Sequence, residues 1–288
     1  MRYFVCIFIE LVKNTHFIQF AMTNPVSVYY DKLCSEHTFT HFEQYDSDYD
    51  EHPECPERTT TILEHIEKTD MFKNSKITLI KDQSYYPNKD DLEKVHCKQY
   101  LDNLDAYKLC DDKTLFEKAT TLDSVYLHRN TWLSSQIAAG TCLKAVEDLF
   151  QVEQHLESGE NSVDSENLDK NNNELKNIGR IDVPRASFCV TRPPGHHAFF
   201  NRASGFCFLN NAVIAARKAI DKFQHRRVLI FDWDVHHGNG TQQLTYSALK
   251  YIKFPKIEKL SPQGHSAGPV TEFLVNCGGI SKLLKNFP

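Results

Sequence analysis

The chain has 288 residues, enough for one large domain or two small ones with a sizeable buried core. Its 41% hydrophobic and 25% charged residues are ordinary for a globular protein, and a net charge of -5 excludes one that grips nucleic acid through overall charge. The 9 cysteines form no CxxC pair, which fits reduced thiols of the cytosol or nucleus better than a disulfide framework.

In chain order, residues 1–25 read as an N-terminal extension. Its apolar run is broken by Glu10 and Lys13, so it is too short and too charged to span a bilayer, and no clean small-residue cleavage pattern follows. Order begins at Val26, where VSVYY predicts a strand, and the acidic loop EQYDSDYDEHPECPER follows. Pro56 and Glu57 suit the first turn of a helix whose apolar face is Ile62, Leu63 and Ile66. SKITLIK at 75–81 alternates like a strand.

Residues 131–152 carry the clearest helical pattern, with Ala139, Cys142, Leu143, Val146, Leu149 and Phe150 on one face. Residues 153–183 are polar, rich in Asn and Glu, and predict a disordered insertion, because they hold too little apolar area to offset ordering entropy. ASFCVT then reads as a strand and 209–223 as a helix burying Ala212, Ala215, Ala216, Ala219 and Phe223. RRVLIFDWD reads as a fully buried strand. Strands alternating with helices predict an α/β fold, a parallel sheet flanked by helices, with ligands at the carboxyl ends of the strands.

Two motifs lie at such ends. Asp232, Asp234 and His236 alternate on one strand end, so their side chains share a face, and a carboxylate with an imidazole is a good zinc-ligand combination. A lone Asp-x-His at a strand end also serves simply to cap a loop. After ASFCVT, RPPGHHA places His196 and His197 side by side behind two prolines and a glycine. Only an irregular, rigid turn aims adjacent side chains at one volume, and histidine is suited to moving protons near neutral pH. Asp232 is a candidate orienter for one ring and Asn239 for the other.

RPPGHHA, GFCFLNN and DWDVHHGNGTQ, in this order, resemble the zinc-dependent histone deacetylase family, and Asn239 with RPPGHHA resembles its class II members. EHPECPER and SVYLHRNTWLSSQIAAG resemble further segments of the same family. The resemblance implies an arginase/deacetylase-like fold over residues 26–243, interrupted by the insertion, with 244–288 as a divergent tail. It implies His197 as general base and then acid, His196 as its electrostatic partner, and Asp234 and His236 as zinc ligands. The resemblance likewise implies that Asp232 orients His196 and helps hold a monovalent cation such as K+. His237 packs behind the site, and Asn239 belongs to the same outer layer. By the same resemblance Gly205 and Phe206 would line the channel for an acetyl-lysine stem, with Ser124 at its rim.

The implied reaction is zinc-assisted amide hydrolysis of acetyl-lysine in histones or other proteins, in the nucleus, the cytoplasm or both, within a co-repressor complex and without direct nucleic-acid or membrane binding. Small acetylated amines such as polyamines are an alternative substrate class. The family's third zinc ligand, an aspartate, and its oxyanion-binding tyrosine find no counterpart after Gln243, where the sequence holds no aspartate. This predicts a C-terminally truncated form, impaired as an enzyme or acting as a non-catalytic binding protein. GHSAG at 264–268 fits the serine-hydrolase elbow in letters, but neither a strand nor a helix is predicted around it.

Overall fold

A computed structural model describes residues 26–39, 52–68, 77–157, 186–223, 227–232, 234–251 and 272–277. The extension 1–25, most of the predicted insertion and the GHSAG segment lie outside the described residues.

Strand β1 (Val26–Tyr30) is short, β-branched and aromatic, and every residue in it is buried. It lies between β2 (Ile77–Lys81) and β3 (Ala186–Val190), parallel to both, in the order β2-β1-β3. Alternation along these strands divides the sheet into two faces. Val26, Val28, Tyr30, Phe188 and Val190 pack against Ile62, Leu63 and Ile66 of helix α1 (Glu57–Lys68). The opposite face meets the long helix α5 (Thr131–Glu157), where Tyr29 Oη donates to Asp148 at 3.0 Å and Ser187 Oγ to the Ala145 carbonyl at 3.4 Å. Both faces are covered, as a parallel sheet requires.

Three short helices connect β2 to α5: α2 (Lys89–Glu93), α3 (Lys98–Ala106) and α4 (Asp112–Ala119). Asn88 and Asp111 cap α2 and α4, accepting the backbone N–H of Asp91 and Thr114 at 2.8 and 2.7 Å. Helix α6 (Asn211–Phe223) packs its alanine stripe, Ala212, Ala215, Ala216 and Ala219, into the main core beside Ala139, Leu143 and Val146 of α5. Leu149 of the predicted α5 face is only partly buried, and the helix runs to Glu157, into the start of the predicted insertion.

Strand β4 (Arg227–Asp232) follows α6 and pairs in parallel with β5 (Glu272–Cys277) as a second small sheet. Val228 and Ile230 are buried, but Phe231 on the other face is 39% exposed, so the expectation of burial on both faces does not hold among the described residues. Between β4 and β5 lies helix α7 (Asn239–Tyr251). The region after Gln243 therefore continues α7 and supplies the strand that pairs with β4. The turns that leave β3 and β4 at their carboxyl ends carry the two motifs, and the N-terminus of α7 sits beside both.

Candidate active site

The turn after β3 brings His196 and His197 together, with ring centroids 4.0 Å apart and planes inclined by 51°. Each ring is held through Nδ1. His196 meets Asp232 Oδ2 at 2.9 Å, with both side chains largely buried, and His197 meets Asn239 Oδ1 at 2.8 Å. The Asn239 oxygen also accepts the Gly240 backbone N–H at 2.9 Å, which identifies it as the carbonyl end of the amide. His197 Nδ1 must then be the donor, and Nε2 keeps its lone pair. Burial holds the His197 pKa below the ordinary histidine value, helped by the neighbouring His196 and His236, while the Asn239 contact opposes the shift. His197 is therefore neutral, and a competent base, at neutral pH.

Two glycines make this packing possible. A Cβ at Gly205 would lie 2.4 Å from His197 Cδ2, and the residue has φ +51°. A Cβ at Gly238 would lie 2.5 Å from Asp232 Oδ2. A side chain at either position would displace one histidine or its partner.

Asp234 and His236 come together after β4. Asp234 Oδ1 accepts the His236 backbone N–H at 2.7 Å and faces His236 Nδ1 at 2.9 Å. Burial raises the Asp234 pKa, but the hydrogen bonds from His236 and the charges of His196 and His236 outweigh it and leave the carboxyl below its ordinary value. The His236 ring is 6.2 Å from that of His197 and its side chain is 72% exposed. Oxygen and nitrogen donors of this kind suit zinc, yet a catalytic zinc needs three protein ligands. Among the described residues no group of three His, Cys, Asp or Glu side chains could hold a metal ion, so these residues alone do not fit one.

Asp232, expected both to orient His196 and to help hold a cation, also accepts the Asp234 backbone N–H through Oδ1 at 3.1 Å. His237, expected behind the site, is instead exposed, with Nε2 2.7 Å from Gln242 Oε1. It lies two residues before α7, in a turn open to solvent, where the Gln242 side chain reaches back to it.

Gly205 and Phe206 lie against the segment that carries Ser124. Phe206 N–H donates to the Ser124 carbonyl at 2.8 Å and Gly205 N–H to the Asp123 carbonyl at 2.9 Å. Asp123 Oδ2 accepts the buried Ser204 hydroxyl at 2.8 Å, a further link between the two segments. The Phe206 ring stands edge-on to His52 at 5.0 Å, and His52 in turn meets Tyr126 at 4.7 Å.

Behind this lies a buried group that the sequence reading missed. Arg192 and Glu54, 2% and 1% exposed, form a two-pronged ion pair with both bonds at 2.8 Å, and Arg192 also reaches the Tyr126 hydroxyl and the Cys34 carbonyl at 2.8 Å. It ties the HPE segment to the residue that opens the histidine turn. The sequence signal was an arginine two residues beyond a strand and directly before a Pro-Pro-Gly turn, where a charge is costly to bury without a partner.

A comparison with known families matches residues 52–258 to the histone deacetylase domain. The chain belongs to the histone deacetylase family. Among curated relatives it is 31% identical to histone deacetylase 6 of Caenorhabditis elegans, covering 75% of this chain and 20% of that protein. It is 30% identical to polyamine deacetylase HDAC10 of Rattus norvegicus, covering 66% and 27%. The crystal structure of the HDA15 HD domain superposes with a TM-score of 0.55 at 25% identity, over 77% of this chain and 50% of that one. The parallel sheet flanked by helices is thus the deacetylase fold. The chain spans between 20% and 27% of these two curated relatives. No described helix is long and apolar enough to cross a membrane.

Proposed function

We propose that this chain carries the proton-transfer half of a deacetylase that hydrolyses the amide of an acetylated amine, acetyl-lysine in histones or other proteins. The observation that supports it is the differently partnered histidine pair, one ring on a carboxylate and one on an amide. His197, neutral and oriented by Asn239, takes a proton from the attacking water and returns one to the departing amine. His196, backed by Asp232, is the ring better placed to stay charged and to stabilise the negative charge that develops. Gly205 and Phe206 accept the apolar stem of the substrate, and Ser124 meets its backbone at the rim.

Zinc is the cofactor the family implies. Asp234 and His236 are its candidate ligands here, and a third donor is required. Nuclear or cytoplasmic residence and membership of a co-repressor complex belong to the same reading, as does a boundary of the catalytic unit at residues 26–243. Acetate release from an acetyl-lysine peptide by the purified chain, abolished in His197→Ala, tests it, alongside the zinc content of the preparation. Two other readings have an observation behind them. The polyamine deacetylase among the relatives favours a small acetylated amine, so an N-acetylated polyamine belongs in the same assay. The two-donor set favours a non-catalytic role, which metal-free, inactive but folded protein would support.

A further inference from the structure

We propose that His96 is a positioning residue for the histidine pair, working through Asn210 and Thr241. Its kinetic consequence rests on the deacetylase reading above. Its structural consequence does not.

His96 lies between α2 and α3, is 0% exposed, and uses both ring nitrogens. Nδ1 is 2.8 Å from the Phe199 carbonyl, and Nε2 is 3.0 Å from the Asn210 backbone N–H. A carbonyl only accepts and an N–H only donates, so the ring is neutral with its proton on Nδ1. Asn210, also 0% exposed, extends the chain of contacts. Its side-chain amide donates to Thr241 Oγ1 at 3.1 Å and to the Ala198 carbonyl at 3.4 Å, while its Oδ1 accepts the Val213 N–H at 3.1 Å in the first turn of α6. Thr241, 1% exposed, gives its backbone N–H to the His196 carbonyl at 3.0 Å and lies two residues beyond Asn239.

The carbonyls of residues 196, 198 and 199 are thereby each bound by a buried group from a different segment. These flank His197 on both sides. With its backbone fixed fore and aft, the ring keeps only its side-chain torsions, and Asn239 settles the second of them. At position 96 one neutral ring donates to the Phe199 carbonyl and accepts from the Asn210 N–H at once, whereas phenylalanine, of similar shape, supplies neither bond. A shift of about 1 Å in such a group costs on the order of a hundredfold in rate.

The test uses the whole chain with His96→Phe, Thr241→Val and Thr241→Ser. Ring proton–nitrogen spectra of His196 and His197 are recorded, with kcat and KM on an acetyl-lysine peptide and a urea melt as a check on folding. Thr241→Val, close in volume, is expected to stay folded, to displace the His197 ring signals, and to lower kcat about tenfold with KM within about twofold. Thr241→Ser restores both. His96→Phe is expected to do the same more strongly, by about 10- to 100-fold in kcat. Folded Thr241→Val with His197 signals identical to the parent overturns the proposal. If the parent chain shows no deacetylation, it is the deacetylase reading that fails, and the ring signals alone decide the role of His96. If His96→Phe does not fold, Thr241→Val decides it.

Discussion

His197 is held by Asn239 through a neutral amide, 2.8 Å away, while its neighbour His196 is held by a carboxylate. The two rings therefore differ in their partners, and the roles proposed for them follow that difference. Replacing Asn239 by Asp places a negative charge beside the His197 ring, favours its protonated form and so raises its pKa. On the proposed mechanism the deprotonated ring is the base, so activity present above the folded pKa is lost as pH falls through it. The acid limb of the kcat/KM profile in Asn239→Asp is therefore expected to move to higher pH, and an unmoved limb would show that His197 is not the titrating base.

His197→Ala is expected to lower kcat by about 10²–10⁴-fold, the usual contribution of a general acid–base group. His196→Ala should cost less, because it removes charge stabilisation and leaves the proton carrier. Equal losses in the two variants would contradict the division of labour.

Gly205→Ala drives a methyl into the His197 ring, at a position whose backbone already lies at φ +51°. Strain of about 1 kcal/mol or more in stability is expected, with a loss of kcat out of proportion to it. Thermal melting and kinetics on the same preparation separate the two effects.

Arg192→Met strands the Glu54 carboxylate in the core and is expected to cost about 3–5 kcal/mol. Adding Glu54→Leu should recover much of that, because a hydrophobic pair needs no desolvated charge. Recovery of stability without recovery of activity would mark the ion pair as a support of the histidine turn. Urea denaturation of the single and double variants measures it.

Stability should also depend on pH through a histidine remote from the chemistry. Burial depresses the His96 pKa to about 4, and burial likewise holds His37 well below its ordinary value. The unfolded chain, whose histidines titrate near 6.5, binds more protons than the folded one between these values. Stability is therefore complete above pH about 6.5 and is lost as pH falls toward about 4, with His96 alone contributing at most roughly 3 kcal/mol. Urea midpoints at pH 7 and pH 5 check this, and His96→Phe, where folded, should flatten the slope.

Much of this architecture was legible in the chain. VSVYY, ASFCVT and the 131–152 pattern carry apolar periodicities strong enough to place β1, β3 and α5, and the two motifs point to the strand ends where the site lies. The segment from Lys89 to Ala119 was not legible, because its short helices are mostly polar on the outside and are defined by caps at Asn88 and Asp111. Nor was β5, since Glu272–Cys277 gains its strand character from pairing with β4. Within the site, Asp232 and Asn239 could be proposed as partners from residue type alone. His96, Asn210 and Thr241 could not, because their role comes from carbonyls brought near them by distant segments. His237 is expected behind the site from the family resemblance, and its exposure depends on how the turn after β4 opens.

The parallel pairing of β1 with β3, and the two motifs that follow successive strands, bear on how the molecule acquires its site. Glu54 and Arg192 are 138 positions apart, His197 and Asn239 are 42 apart, and His196 and Asp232 are 36 apart. None of these pairs can be made by local structure, and each requires a long loop to close before any bond rewards it. A chain with its helices formed but its strands unpaired would hold both histidines and neither orienting partner. The histidine signals in a spectrum would then report the completion of folding more stringently than helix content does.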